Sequence, residues 1–167
     1  LSRGLGDVYK RQPPPPPPPP PPEIAVSGNS VDIVNGDATP SATDHTDFGS
    51  TTQGGGTVSR TFRVYNNGGS DLTITDLLVP LGFTVTDGLP LSILPGGEYD
   101  EFTVRLDDSV VGVKSGNISI ANDDSDENPF TFAITGEVTA APPGGSRFTS
   151  NVLVPVWGLV RSPVVGA

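Results

Sequence analysis

The 167-residue sequence has no cysteine, which excludes disulfides and thiolate metal sites. It has no methionine and begins with Leu1, so it is expected to be a piece of a longer reading frame. The lack of an export signal in view is then no argument for the cytoplasm. Bases are scarce in the central part. From Glu23 to Val138 only Arg60, Arg63, Arg105 and Lys114 face 18 acidic residues, a net charge of −14. A surface of that sign repels phosphate backbones and anionic lipid, so nucleic acid and membrane surfaces are poor partners. It suits a soluble, exposed module, or one that collects divalent cations. Long apolar runs are missing too: Val152–Val160 is interrupted by Pro155 and falls far short of the roughly 20 residues that span a bilayer. No apolar segment of ten residues follows a helical period.

The chain is instead rich in glycine (21) and proline (19), which suits short strands separated by turns. Gly112–Val138 shows the pattern best. Phe130, Phe132, Ile134, Gly136 and Val138 alternate with Thr131, Ala133, Thr135 and Glu137, the period of a strand with one face in a core. Ile118 and Ile120 repeat it more weakly. Asn122–Pro129 between them is polar throughout, so the two strands form an antiparallel hairpin, the last of the domain.

Taken in order, residues 1–12 (LSRGLGDVYKRQ) resemble translated adapter read-through and are expected not to pack. Residues 13–22 are ten consecutive prolines, a polyproline II rod of about 30 Å; a spacer is preferred over a ligand for an SH3-like or WW domain. Residues 23–139 carry the domain. Glu23–Ser27 opens it, with Val31–Ile33 after a turn at Gly28–Asn29 and a loop over Asn35–Thr46. Phe48, between turn residues, is expected to plug one end of the core. Val58–Tyr65 follows with Phe62 and Val64 inward. Arg60 shares their parity, which predicts a bulge or a strand-end position. Leu72 and Ile74 begin a strand that loses parity at Leu77–Val79. Phe83–Thr86 is short, and Glu98–Leu106 points Phe102, Val104 and Leu106 inward. The expected fold is all-β, an antiparallel sandwich of about seven strands. Residues 140–167, with Trp157 as the only tryptophan, are linker and an undetermined tail.

Five stretches in order resemble the bacterial choice-of-anchor D domain, a relative of the ASH and hydin-type immunoglobulin-like domains. They are PEIAVSGN (Pro22–Asn29), TDFGS (Thr46–Ser50), TVSRTFRVYNNGGSDLTI (Thr57–Ile74), LPGGEYDEFTVRL (Leu94–Leu106) and SIANDDSDENPFTFAITGEV (Ser119–Val138). The resemblance implies a seven-stranded immunoglobulin-like sandwich, often in tandem copies, in exported or surface proteins. It implies an extracellular or cell-surface location, neighbouring copies or other surface proteins as partners, and no catalytic residues. No anchor is recognisable in this chain.

The chemistry is sparse. His45, the only histidine, stands between Asp44 and Asp47, where an acid–base pair is conceivable. There is no Gly-x-Ser-x-Gly elbow and no second histidine for a metal site; a solvated loop histidine is the preferred reading, and no enzyme is expected. Asp123, Asp124, Asp126 and Glu127 put four carboxylates within five residues. Calcium takes six to eight hard oxygens, yet the spacing is not the alternating Asp-x-Asp-x-Asp-Gly kind, and a solvated acidic turn is preferred to a calcium site. Asn117-Ile118-Ser119 matches a glycosylation sequon inside a strand, which favours chance. Three functions stay open. One is a structural or adhesive spacer, another a module binding glycan or calcium, and the third an accessory domain of an exported hydrolase.

Overall fold

The computed structural model describes residues 13–89 and 93–143. Residues 1–12, and the tail with Val152–Val160 and Trp157, lie outside the described residues. Ten strands form: β1 (Ile24–Gly28), β2 (Val31–Ile33), β3 (Asp47–Thr52), β4 (Val58–Asn66), β5 (Leu72–Leu78), β6 (Phe83–Asp87), β7 (Ile93–Leu94), β8 (Tyr99–Leu106), β9 (Gly112–Asn122) and β10 (Phe130–Thr139). Two five-stranded sheets result, in the orders β2-β1-β4-β8-β6 and β3-β10-β9-β5-β7. They pack as a β-sandwich.

The alternation in β10 is realised residue by residue, with every second side chain from Phe130 to Val138 buried. Its antiparallel register with β9 runs unbroken from Phe130↔Ile120 to Val138↔Gly112. Between the sheets, Phe62 stacks on Phe102 at 5.3 Å and meets Phe132 at 5.4 Å. Val64, Val104, Leu106, Ile118, Ile120 and Ile134 have no exposed surface. Each such side chain contributes about 1.5–3 kcal/mol of hydrophobic stabilisation.

The all-β sandwich is the one expected from the sequence, and the structure differs from that expectation in its details. The strand count is ten instead of about seven, because β2 and β7 are edge strands of three and two residues, too short to show a period. The sandwich is not wholly antiparallel: β3 runs parallel to β10. The reason is the 35–46 segment, which crosses from the first sheet to the second instead of turning back. Its backbone joins the β10 edge on the way, through Gly36 N–H to Thr131 O at 2.7 Å and Ala133 N–H to Asp37 O at 2.7 Å. Phe48 therefore sits within a strand, buried edge-on against Phe83 at 5.0 Å. Of the two positions expected for Arg60, a bulge or a strand end, the structure has the second: β4 pairs with β8 in continuous register through Arg60↔Val104, and Arg60 is an inward position close to the start of the strand. Register shifts lie elsewhere: in β5 between Ile74 and Asp76, just ahead of the lost parity at Leu77–Val79, and in the pairings of β6 with β8 and β10 with β3.

The turn between β1 and β2 carries two residues of positive φ, Asn29 (51°) and Ser30 (62°), the geometry of a two-residue hairpin turn. The chain enters the sandwich beside the β9–β10 loop and leaves β10 beside Thr52 and Gln53. These are opposite ends, separated by the ten residues of β10, about 33 Å at a strand's rise. They are called the proline end and the far end below.

Candidate functional site

At the proline end the acidic loop folds inward. Asp124 is 2% exposed, and its Oδ2 accepts the Ile24 N–H at 2.8 Å. Asn122 Oδ1 accepts the Asp124 N–H at 2.8 Å, while Asn122 Nδ2 donates to the carbonyls of Ile120 and Glu127, both at 3.1 Å. Asp123 turns the other way, its Oδ1 accepting the Thr73 N–H at 2.7 Å. Of the four carboxylates singled out in the sequence, Asp124 and Asp126 come together, joined by Glu23 and not by Asp123. One oxygen from each of these three lies within 4.8 Å of the others. Glu127 stands beside them; its carboxyl is raised above the ordinary value by burial, then by the charges of Glu23, Asp124 and Asp126. Three carboxylates are a partial set for calcium, and Asp124 already holds the first strand.

Asn66 completes this end. It is fully buried, donates through Nδ2 to Ser70 O at 2.8 Å and Leu94 O at 2.9 Å, and accepts at Oδ1 from Gly68 N–H at 3.0 Å and Glu23 N–H at 3.3 Å. The last prolines dock here. Ser70 Oγ donates to Pro20 O at 2.7 Å and Gly69 N–H to Pro21 O at 3.3 Å. Nothing in the sequence marked Asn66 apart from the other turn asparagines, because its value lies in four partners brought together by the fold.

His45 has a left-handed backbone, φ 67°. Its neighbours are committed elsewhere: Asp44 Oδ1 accepts from Thr46 N–H at 3.0 Å and Thr46 Oγ1–H at 2.6 Å, and Asp47 Oδ1 from Gly49 N–H at 2.8 Å. Burial lowers the imidazole pKa, the positive charge of Arg60 lowers it further, and Asp44 opposes both.

His45 instead borders a cleft of about 290 Å³ beside the turn that ends β1 and the first residues of β4. Ser27, Asn29 and Ser30 form one wall, and Ser59–Thr61 with Arg63 and Glu101 the other. Arg63 is ion-paired to Glu101, and its guanidinium lies over the Tyr99 ring, 4.9 Å from the centroid. Tyr99 pairs with Tyr65 across β4 and β8 at 5.7 Å. The Tyr65 phenol is lowered by its hydrogen bond with Ser27, then by Arg63. Arg60 differs: its Nε is buried and has no hydrogen-bond partner, the only such side-chain atom among the described residues. The sequence signal for this cleft was Arg60 itself, the residue that broke the alternation.

A second groove, of about 540 Å³, opens at the far end between Leu81, Val110, Val113 and Lys114. Leu81 is 96% exposed and Val113 68%.

No family model and no curated protein sequence matches the chain. Among solved structures, the ASH/PapD-like domain of human CEP192 (PapD-like domain 7) aligns at TM-score 0.50 and 14% identity, covering 85% of this chain and all of that one. A protein of unknown function from Porphyromonas gingivalis gives 0.48 and 15%, over 55% of this chain and 42% of that one. The VesB protease of Vibrio cholerae gives 0.40 and 18%, over 56% and 29%. The chain thus spans less than half the length of these two bacterial proteins. With its two packed sheets and its likeness to the CEP192 domain, the chain carries an immunoglobulin-like β-sandwich fold.

Proposed function

We propose that this chain is a non-catalytic spacing or adhesion module of an exported, repetitive bacterial surface protein, of the choice-of-anchor D kind. The observation that carries the reading is the route of the chain. It arrives as a proline rod hydrogen-bonded to one end of the sandwich and leaves from the other end, past Thr139. A body threaded end to end, with a stiff lead of about 3.1 Å per proline, sets distance between its neighbours. Net charge supports the same use: at −14 over Glu23–Val138 the module stays soluble and is repelled by anionic envelopes. Its partners are neighbouring copies or other surface proteins. No helix among the described residues is long and apolar enough to cross a membrane. The carboxylates beside His45 serve backbone turns, which leaves the imidazole without an orienting acid and favours a role free of catalysis.

The test is long-read sequencing across both sides of this segment in its source DNA. An export signal upstream, further copies of the sandwich and a C-terminal anchor are the expected result. A start codon immediately before the proline run, with no export signal and no repeats, overturns the reading.

A further inference from the structure

We propose that the groove at the far end is a docking site for this chain's own residues Val152–Val160, the apolar segment that follows the sandwich. Four of the eight large apolar side chains exposed among the described residues gather there: Leu81, Val110, Val111 and Val113. An exposed apolar cluster rimmed by polar residues marks a contact site. Backbone is uncovered beside it as well. β5 pairs with β9 only from Ser119 to Asn122, so among the described residues the first residues of β9 have a strand on one side alone, β10. Such an edge offers unpaired N–H and C=O groups to an extended segment.

Position, tether length and charge name the occupant. The chain leaves β10 at the rim of this groove, since Val138 pairs with Gly112. Thr139 O accepts from Gln53 N–H at 2.8 Å, and Gln53 Nε2 donates to Ser109 O, a groove residue, at 2.8 Å. Twelve residues, 140–151, separate Thr139 from Val152. A tether that short holds the segment at an effective concentration on the order of millimolar, so a modest contact suffices to dock it. Val152–Val160 carries no polar side chain and includes Trp157; about 540 Å³ takes a few of its side chains, not the whole run. Residues 140–167 contain Arg147 and Arg161 and no acid, a net charge of +2 against −14 for Glu23–Val138. Asp107 lines the groove and Asp108 follows it, so the charges attract. A second copy of the domain fits less well, because two bodies of that negative charge repel.

Trp157 is the only tryptophan, so its fluorescence in the full chain reports this segment alone. We expect its emission to be blue-shifted and shielded from acrylamide relative to the urea-unfolded chain, at every protein concentration. Leu81→Asp and Val113→Asp each put a charge into the groove. Each should move the emission to the red and raise quenching close to the unfolded level. Both side chains are exposed, so thermal melts should show the sandwich intact. Val34→Asp, at an exposed apolar position just after β2, should leave the emission unchanged. The chain has no cysteine, so a nitroxide on Ser162→Cys gives a second readout without altering the groove. It should broaden the amide signals of Leu81 and Val110 and spare those of Asn66 and Asp124 at the proline end. Emission equal to that of the unfolded chain, emission indifferent to both groove variants, or broadening away from the groove would each overturn the proposal. So would a blue shift that grows with concentration alongside a dimer in sedimentation, which would make a second copy the occupant.

Discussion

The two ends of the sandwich close the same core by opposite means. At the proline end, buried Asn66, Asn122 and Asp124 are joined by hydrogen bonds to the backbone of five separate segments, including Glu23 and Ile24. Toward the far end, inward positions carry Arg60 on β4 and Lys114 on β9, where a third apolar side chain would otherwise stand. The Lys114 stem packs against Gly82, so its methylenes cover apolar surface while its head reaches water. A polar network once satisfied specifies one arrangement of the groups it joins, and the proline end needs this to fix where a stiff rod leaves the domain. The far end specifies less and leaves one donor unspent, the orphaned Nε of Arg60.

The largest effect should come from the layer both ends share. Phe132 has no exposed surface and contacts Phe62 and Phe130, so Phe132→Ala should cost about 3–5 kcal/mol in urea melts. Thr131→Ala, on the outer face, should cost little. Equal small losses would show that the alternation does not define the core. Next comes the difference between the ends. Asp124→Ala strands the buried N–H of Ile24 and should cost about 1–3 kcal/mol. Arg60→Met keeps an apolar stem and removes the unpaired donor, so stability should change by less than about 1 kcal/mol or rise. If Arg60→Met costs as much as Asp124→Ala, the two ends are closed alike and the contrast fails.

How legible each end was follows from the range of its interactions. Phe102, Val104 and Leu106, or Phe130 to Val138, announce their burial through their immediate neighbours, because strand period is a local property. The β9–β10 hairpin could therefore be read directly. The acidic loop could not: Asp124 is buried only because Ile24, a hundred positions away, presents an N–H to it. The same holds for Asn66 with Leu94 and for the parallel alignment of β3 on β10, which a crossing segment creates at long range. Arg60 lies between these cases. Its parity marked it as anomalous, but the hairpin tip and the His45 loop that shape a cleft around it come from other segments.

The proline end should also differ in its response to pH. The Glu127 carboxyl is raised above its ordinary 4.5, first by burial and then by Glu23, Asp124 and Asp126. The folded state then binds this proton more tightly than the unfolded chain does. Stability from this group rises as pH falls through the raised folded value and is complete below the unfolded one. Asp37, lowered below 3.8 by its hydrogen bonds with Thr39, acts oppositely and later: its contribution is present above the unfolded value and is lost as pH falls through the folded one. Melts taken stepwise from neutral pH through the raised folded value to below the ordinary 4.5 should thus show a modest rise, and Glu127→Gln should flatten it. A rise of the same size in Glu127→Gln would move its origin to another group.

The smallest expected effect is that of calcium, and it tests whether the proline end is closed by its own hydrogen bonds or waits for an ion. Glu23, Asp124 and Asp126 offer three carboxylate oxygens within 4.8 Å, against the six to eight that calcium takes. Asp124 Oδ2 is held by Ile24 N–H at 2.8 Å, and turning it toward an ion would release the first strand. Asp123, which could have added a ligand, is held by Thr73 N–H at 2.7 Å. We therefore expect millimolar calcium to leave the melting temperature unchanged beyond the small screening effect that sodium chloride of equal ionic strength also gives. A rise specific to calcium, reversed by chelator and absent in Asp126→Asn, would make the corner a cation site. The proline end would then be closed by an ion, and the far end still by the side chains of Arg60 and Lys114.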